Sequence, residues 1–413
     1  MSAAPLACRS CGSPLSHVFV DLGAQPLANS YLEPEDLRRA ERFYPLCVYV
    51  CGECLLVQLP EEERPEEIFS DYAYFSSYSE SWLRHAREYA EAMIARFGLG
   101  PTHQVVEVAS NDGYLLRWFV ERGIPVLGIE PAGNVAQAAE AAGIPTLVRF
   151  FGAETARKLA DRGTRADLLV GNNVLAHVPN LNDFVAGLAI LLAETGVLTM
   201  EFPHLLRLME EDQFDTIYHE HYSYFSFTTV RRVFSAHGLT LFDVEELPTH
   251  GGSLRIYARH DRDDSKPVGE RVRELLAREE AAGLTSLDAY RSFTERVERV
   301  KRGLLRFLIQ AKEEGKTIAA YGAPAKGNTL LNYCGVRTDF LDYTVDRSPH
   351  KQGRFLPGTR IPIHAPDRLR ETRPDYVLIL PWNLKQEIVE QMADVRSWGG
   401  RFVVAIPEVE VLE

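Results

Sequence analysis

His103-Gln-Val-Val-Glu-Val-Ala-Ser-Asn-Asp-Gly113 begins as a short apolar strand and breaks into a polar loop that ends in glycine. Valine suits a pleated surface, whereas Ser, Asn, Asp and Gly favour turns and helix starts. Residues 103–109 read as the strand, 115–122 as a helix and 126–130 as a second strand. Residues 166–171 and 197–202 repeat the strand signal. Strands alternating with helices predict an open parallel sheet with helices on both faces. Ligands of such sheets bind beyond the carboxyl ends of the strands, where the polar loops of this chain fall.

Downstream, residues 269–315 are rich in Glu, Arg, Leu and Ala at helical spacing and read as connecting helices with a solvated charged face. Strand signals return at 317–322, 341–345, 376–380 and 402–406, which predicts a second open α/β unit. Its first loop, Gly322-Ala-Pro-Ala-Lys-Gly-Asn328, is glycine-rich and carries Lys326, a composition suited to a diphosphate at a helix N-terminus. Gly327 follows Lys326 where a Walker A loop has Ser or Thr, so Mg-dependent phosphoryl transfer is disfavoured. Asp346 and the turn Lys351-Gln-Gly353 follow the next strand and are candidate sugar or phosphate contacts. The bland alternative is a tight turn with a surface lysine.

Upstream lie Cys8-Arg-Ser-Cys11 and Cys51-Gly-Glu-Cys54. Each knuckle presents two thiolates to one ion from a single turn, and two knuckles complete a tetrahedral four-cysteine zinc site. Strands at 18–22 and 44–50 fill the interval, and Cys47 is a spare thiol able to replace a ligand. With four protein ligands such an ion is structural. A redox pair would want a thioredoxin-like context, which is absent.

The 413 residues allow two to four domains, and 46% hydrophobic with 25% charged residues excludes disorder and disulfide miniproteins. A net charge of −13 disfavours nucleic acid as a partner. No apolar run approaches the ~20 residues of a membrane span, and no basic patch with an apolar stretch opens the chain, so a cytoplasmic protein without a membrane partner is expected. Nothing demands a protein partner.

The strand ends carry the chemistry. Glu107-Val-Ala-Ser-Asn-Asp-Gly113 resembles the first motif of class I S-adenosylmethionine (SAM) methyltransferases, an acidic residue followed by Gly-x-Gly. Ala109 and Asn111 stand where that motif has its first two glycines, with Ser110, Asp112 and Gly113 completing the loop. Glu130, ending the next strand before Pro131, offers a carboxylate to the two ribose hydroxyls of an adenosine. No G-x-G-x-x-G opens the helix, which argues against NAD. Asn172 and Asn173 follow a later strand and are candidates for the cofactor mouth, with helix capping as the bland alternative.

Tyr218-His219-Glu220-His221-Tyr222-Ser223-Tyr224-Phe225 is the densest cluster. Its histidines stand too close together for the His-Glu-x-x-His zinc protease motif. Acid–base chemistry suits it better: a neutral imidazole takes a proton near neutral pH, and Tyr or Glu orients it or stabilises an oxyanion. His219 and His221 share a face if the stretch is extended, and a helical turn would separate them. Spacing alone does not choose between them.

Together with Asp71-Tyr-Ala-Tyr-Phe-Ser-Ser-Tyr78, Asn172-Asn-Val-Leu-Ala-His177, His250-Gly-Gly-Ser-Leu-Arg255 and Tyr321-Gly-Ala-Pro-Ala-Lys-Gly-Asn-Thr329, these segments resemble, in this order, the sugar C-methyltransferases of deoxysugar biosynthesis. The resemblance covers nearly the whole chain. It implies an α/β protein with an N-terminal four-cysteine zinc-binding domain (1–66), a Rossmann-like class I SAM methyltransferase domain (67–262) and a second Rossmann-like domain that binds the nucleotide sugar (263–413). It further implies methyl transfer from SAM to a carbon beside the C-4 ketone of a dTDP-linked keto-deoxysugar, C-3 foremost. His221 would be the base, assisted by Tyr218 and Glu220, with His177 and Tyr72 at the reacting end. Gly322, Ala323, Lys326, Asn328, Asp346 and Lys351 would face the substrate. The alternatives are C-5, O- or N-methylation of a related sugar, or a zinc adaptor without catalytic activity.

Overall fold

The computed structural model describes residues 6–61, 76–78 and 80–412. The N-terminal part supplies strands β1 (His17–Gln25), β2 (Tyr44–Val50) and β3 (Val57–Gln58). The middle supplies β4 (Val105–Val108), β5 (Val126–Glu130), β6 (Thr146–Val148), β7 (Ala166–Asn172), β8 (Leu192–Pro203), β9 (Ser223–Tyr224), β10 (Leu239–Leu247) and β11 (Ser253–His260). The last part supplies β12 (Ile318–Tyr321), β13 (Thr344–Val345), β14 (Ile363–His364), β15 (Tyr376–Ile379), β16 (Arg401–Val404) and β17 (Glu410–Leu412).

Three sheets result. The seven-stranded sheet has the order β10-β11-β8-β7-β4-β5-β6. Its strands β4 to β8 are parallel, as expected. The expectation of a wholly parallel sheet fails at one edge, where β11 runs antiparallel to both β8 and β10. The short connection Pro248–Gly252 explains the β10–β11 pairing, because a tight turn joins only antiparallel neighbours. The six-stranded sheet, β14-β13-β12-β15-β16-β17, is parallel except for β17. The helix expected over 115–122 shortens to Arg117–Val120, because the residues before it are taken up by a looped turn. A helix not foreseen, Glu80–Phe97, buries Ala86, Tyr89, Ala90 and Met93 along one face.

The third sheet, β1-β2-β3-β9, is antiparallel and draws its last strand from the Tyr218–Phe225 cluster. The N-terminal part is thereby wedged between the two α/β units. On one side Phe19 stacks on Phe293 with centroids 4.5 Å apart, inside the core of the last unit. On the other, Cys8, Cys51 and Leu56 pack into the core of the seven-stranded sheet. The helix Phe293–Glu313 lays Phe293, Val297, Val300, Leu304, Leu308 and Ala311 against the last unit. Each fully buried Val, Leu or Phe of that stripe contributes roughly 1.5–3 kcal/mol. Among the described residues no helix is long and apolar enough to cross a membrane.

Candidate functional site

The four cysteines expected to ligate zinc converge. The ligand atoms of Cys8, Cys11, Cys51 and Cys54 lie within 4.8 Å of one another, and the Cys8–Cys54 and Cys11–Cys51 sulfur pairs are 3.5 Å apart. Thiolates about 2.3 Å from a tetrahedral ion place their sulfurs ~3.8 Å apart, so the cradle fits zinc. Gln58 Nε2 donates to Cys8 Sγ over 3.1 Å, the outer-shell support such sites use. Cys47 stands outside the four.

The loop after β4 supports the cofactor side. Ala109, Asn111 and Gly113 all adopt positive φ, at 58°, 50° and 77°. The backbone therefore takes the left-handed turn that glycines would give, and Ala109 bears a steric cost of ~1–2 kcal/mol for it. A β-carbon at Gly113 would stand 2.8 Å from Ile144 Cγ1, so that position admits no side chain. Asn111 and Ala132 each donate a backbone N–H to the Glu130 carboxylate over 2.9 Å, one to each oxygen. One lone pair on each oxygen stays available. Pro131 turns the chain away behind it. Asn111 Oδ1 and Asp112 Oδ2 accept from the amides of Ser76 and Ser77, which ties the chain before Glu80 to this loop. Ser110 and both side-chain atoms of Asn172 are buried without a hydrogen bond, and Asn173 Nδ2 meets His250 Nε2 at 3.3 Å. Glu107 is wholly buried, and burial, with Glu130 and Asp112 beside it, holds its carboxyl well above the usual range. The buried polar groups of Glu107, Asp112, Glu130 and Asn172 at the ends of β4, β5 and β7 are a donor and acceptor set that fits a cationic, ribose-bearing cofactor.

The Tyr218–Phe225 cluster meets these strand ends at His177, which follows β7. A turn closes it, with His221 N donating to Tyr218 O over 2.9 Å, so His219 and His221 do not share a face. His219 points at the N-terminal sheet, where its Nε2 bonds the Pro45 carbonyl at 3.2 Å. His221 points inward, and its Nδ1 bonds the Thr216 carbonyl at 2.9 Å. A carbonyl only accepts, so Nδ1 carries the proton and Nε2 keeps its lone pair. Burial, with the His177 ring beside it, holds the imidazole well below its ordinary value and hence neutral. Ring centroids of His177 and Tyr218 stand 4.7 and 4.0 Å from it. Burial also pulls His177 down to about 4 and pushes Glu220 up to about 7, the latter accepting from Asn29 Nδ2 at 2.5 Å. Tyr72 lies outside the described residues.

The last unit closes the site. Ala323 N donates to Asp346 Oδ2 over 2.7 Å, while its carbonyl accepts from Lys351 Nζ at 2.9 Å and Tyr31 Oη at 2.5 Å. Asp346 and Lys351 thus shape the loop after Gly322. Asn328 is buried and donates to the Ala28 carbonyl, facing the N-terminal part. Lys326 reaches inward instead, bonding Asn383 Oδ1 at 2.8 Å above the Trp382 ring. Its charge is among those that disfavour a second positive charge on His221. Sequence reading missed Trp382, Asp215, Asn29 and the Thr216 carbonyl. Trp382 follows the carboxyl end of β15, a position that could have flagged it; a backbone carbonyl leaves no such signal.

Known proteins carry the same three parts in the same order. Family models match the zinc binding domain over residues 8–69, the methyltransferase domain over 82–244 and the C-methyltransferase C-terminal domain over 248–407. The C-methyltransferase NovU of Streptomyces niveus is 38% identical over 405 residues, which span 98% of this chain and 96% of that protein. The chain belongs to the C-methyltransferase family. Solved structures similar to part of it include the magnesium protoporphyrin IX methyltransferase of Synechocystis PCC 6803, at 15% identity and TM-score 0.33 over 43% of this chain and 78% of that one. The PH0226 protein of Pyrococcus horikoshii OT3 gives 14% identity and TM-score 0.38 over 47% and 97%. This C-methyltransferase is a SAM-dependent enzyme with a four-cysteine zinc-binding domain. The adaptor reading, which denied it catalysis, falls.

Proposed function

We propose that this C-methyltransferase methylates the carbon beside the C-4 ketone, C-3 foremost, of a dTDP-linked keto-deoxysugar. One observation carries the reading: a buried, neutral imidazole whose Nδ1–H is fixed by the Thr216 carbonyl, which leaves the Nε2 lone pair to take a proton. A carbon acid becomes nucleophilic only after it gives its proton to such a base, whereas an amine already carries its lone pair. His221 Nε2 takes the proton from the carbon acid, and the imidazolium stays tethered to Thr216. Tyr218 and His177 flank the ring and stabilise the enolate oxygen as charge develops. Glu220, held by Asn29, keeps the turn in place. Bound SAM supplies a methyl on a sulfonium, open to in-line attack by the carbanion-like carbon. Glu107, Glu130, Asn172 and Asn173, on the loops after β4, β5 and β7, would hold it. The loop from Gly322 to Asn328, shaped by Asp346 and Lys351, would hold the diphosphate, within the division into 1–66, 67–262 and 263–413. Fixing both substrates in near-attack geometry supplies much of the remaining acceleration.

Incubation with SAM and a dTDP-4-keto-2,6-dideoxyhexose, followed by mass spectrometry, should show one added methylene mass. Exchange of the α C–H with solvent deuterium should accompany it. No added mass with SAM still bound would reject this sugar, and methylation without C–H exchange would point to oxygen or nitrogen.

Two further results are expected. Because the folded-state value of His221 lies below the ordinary ~6.5, the base stays neutral through that pH. The kcat should therefore hold level from pH 8 down past 6.5 and fall only below the lowered value. A half-maximal kcat near 6.5 would mean an unperturbed histidine, and another base. Glu107→Gln should weaken SAM binding about tenfold, as the cationic cofactor loses a carboxyl that its own charge would draw into the ionised form. The same change should raise the Tm of the unliganded protein, since a wholly buried carboxyl, whose ionised form burial, Glu130 and Asp112 disfavour, is replaced by a neutral amide. Calorimetry checks both, and unchanged SAM affinity would remove Glu107 from the cofactor site.

A further inference from the structure

Residues 215–217 are gripped at both ends by the last unit. Trp382 Nε1 donates to Asp215 Oδ2 over 2.7 Å, and Thr329 Oγ1 donates to the Ile217 carbonyl over 2.9 Å. Between those anchors lies Thr216, whose carbonyl holds His221 Nδ1. Asp215 is fully buried, which pushes its carboxyl up to about 6, and the nearby Lys326 charge and the Trp382 indole N–H both favour its ionised form. Trp382 is itself wedged: a β-carbon on Gly251, whose φ is +90°, would stand 2.4 Å from Trp382 Cη2. Gln213 Nε2 ties the Gly251 carbonyl back to the same turn over 2.7 Å. Neither donor has another task in the proposed chemistry. Both belong to elements that adjoin the loop from Gly322 to Asn328: Trp382 follows β15, and Thr329 lies on the helix Ala325–Cys334.

We propose that Trp382 and Thr329 are positioning residues that clamp 215–217, so that the Thr216 carbonyl fixes the Nδ1–H tautomer of His221. The C-terminal unit thereby sets the base of a reaction whose other machinery sits on the methyltransferase sheet. The inference rests on His221 as the base. Removing either donor frees one end of the three-residue clamp, and the imidazole then divides its time between tautomers and orientations.

Trp382→Phe keeps the ring and loses the N–H, and Thr329→Val is nearly isosteric. Each should lower kcat about tenfold, a typical worth of one positioning hydrogen bond, with KM within threefold and SAM affinity unchanged. Substrate C–H exchange should fall in step. The double variant should cost less than the product of the two, because both act through one carbonyl. Asp215→Asn, which keeps an acceptor for the indole, should retain kcat within threefold. In ¹⁵N-histidine spectra, His221 should show one tautomer in the parent protein and a mixture in Thr329→Val, a change that a merely structural contact would not produce. Single-tautomer spectra with kcat and exchange within twofold of the parent would overturn the clamp. His221→Asn run alongside separates the two failures: if it still catalyses rapid exchange, the base assignment is at fault.

Discussion

His221→Asn should leave a folded protein that binds SAM but transfers methyl and exchanges the substrate C–H at greatly reduced rates. Asparagine places an N–H donor near the Nδ1 position, so the bond to the Thr216 carbonyl is conserved, but it offers no basic lone pair at the Nε2 position. General-base catalysis contributes about 10²–10⁴-fold, and the fall in kcat should lie in that range. His219→Asn makes the natural contrast. His219 Nε2 is spent on the Pro45 carbonyl of the N-terminal sheet, so its loss should cost stability and leave C–H exchange within a few fold. Rapid exchange in His221→Asn, or its loss in His219→Asn alone, would reverse the assignment.

The second large effect should come from the metal. Replacing Cys51 and Cys54 together by serine removes half the cradle, including the wholly buried Cys51. Zinc content should drop from one equivalent to none. Structural zinc is worth about 10–16 kcal/mol in small zinc domains, and losing even a third of that moves the Tm of a 413-residue chain by about 5 °C. Activity should go as well, through a traceable route. Leu59 N donates to the Tyr222 carbonyl over 3.0 Å, and β3 pairs with β9, directly after His221. Arg9, inside the first knuckle, bonds the carbonyls of Leu59 and Pro179 and lies over the Tyr222 ring. A loosened knuckle therefore loosens the turn that carries His221, the proposed base. Full metal content and an unshifted Tm in the double variant would refute the four-cysteine assignment.

The fold was legible where the signal is local. Val126–Glu130 occupies the residues its apolar, β-branched pattern marked, because a strand buried on both faces must be apolar along its length. The antiparallel edge at β11 was not legible, since partner and direction depend on which strand a hairpin meets. Nor was the sharing of β9 with the N-terminal sheet: two residues, Ser223 and Tyr224, carry no periodicity at all.

The site divides the same way. Four thiols in two tight turns announce an ion because ligand spacing within a turn is a property of the chain. Ala109 and Asn111 blurred the loop motif, yet their backbone takes the turn glycines would have taken, held by the Glu130 carboxylate and the adjoining strand. Which imidazole serves as base was beyond the letters of His219 and His221. The two rings are told apart by two carbonyl oxygens, one 174 residues away on the N-terminal sheet and one five residues back, and the proposed assignment to His221 rests on that difference. A carbonyl is present at every position of a chain, so only folding distinguishes the one that matters.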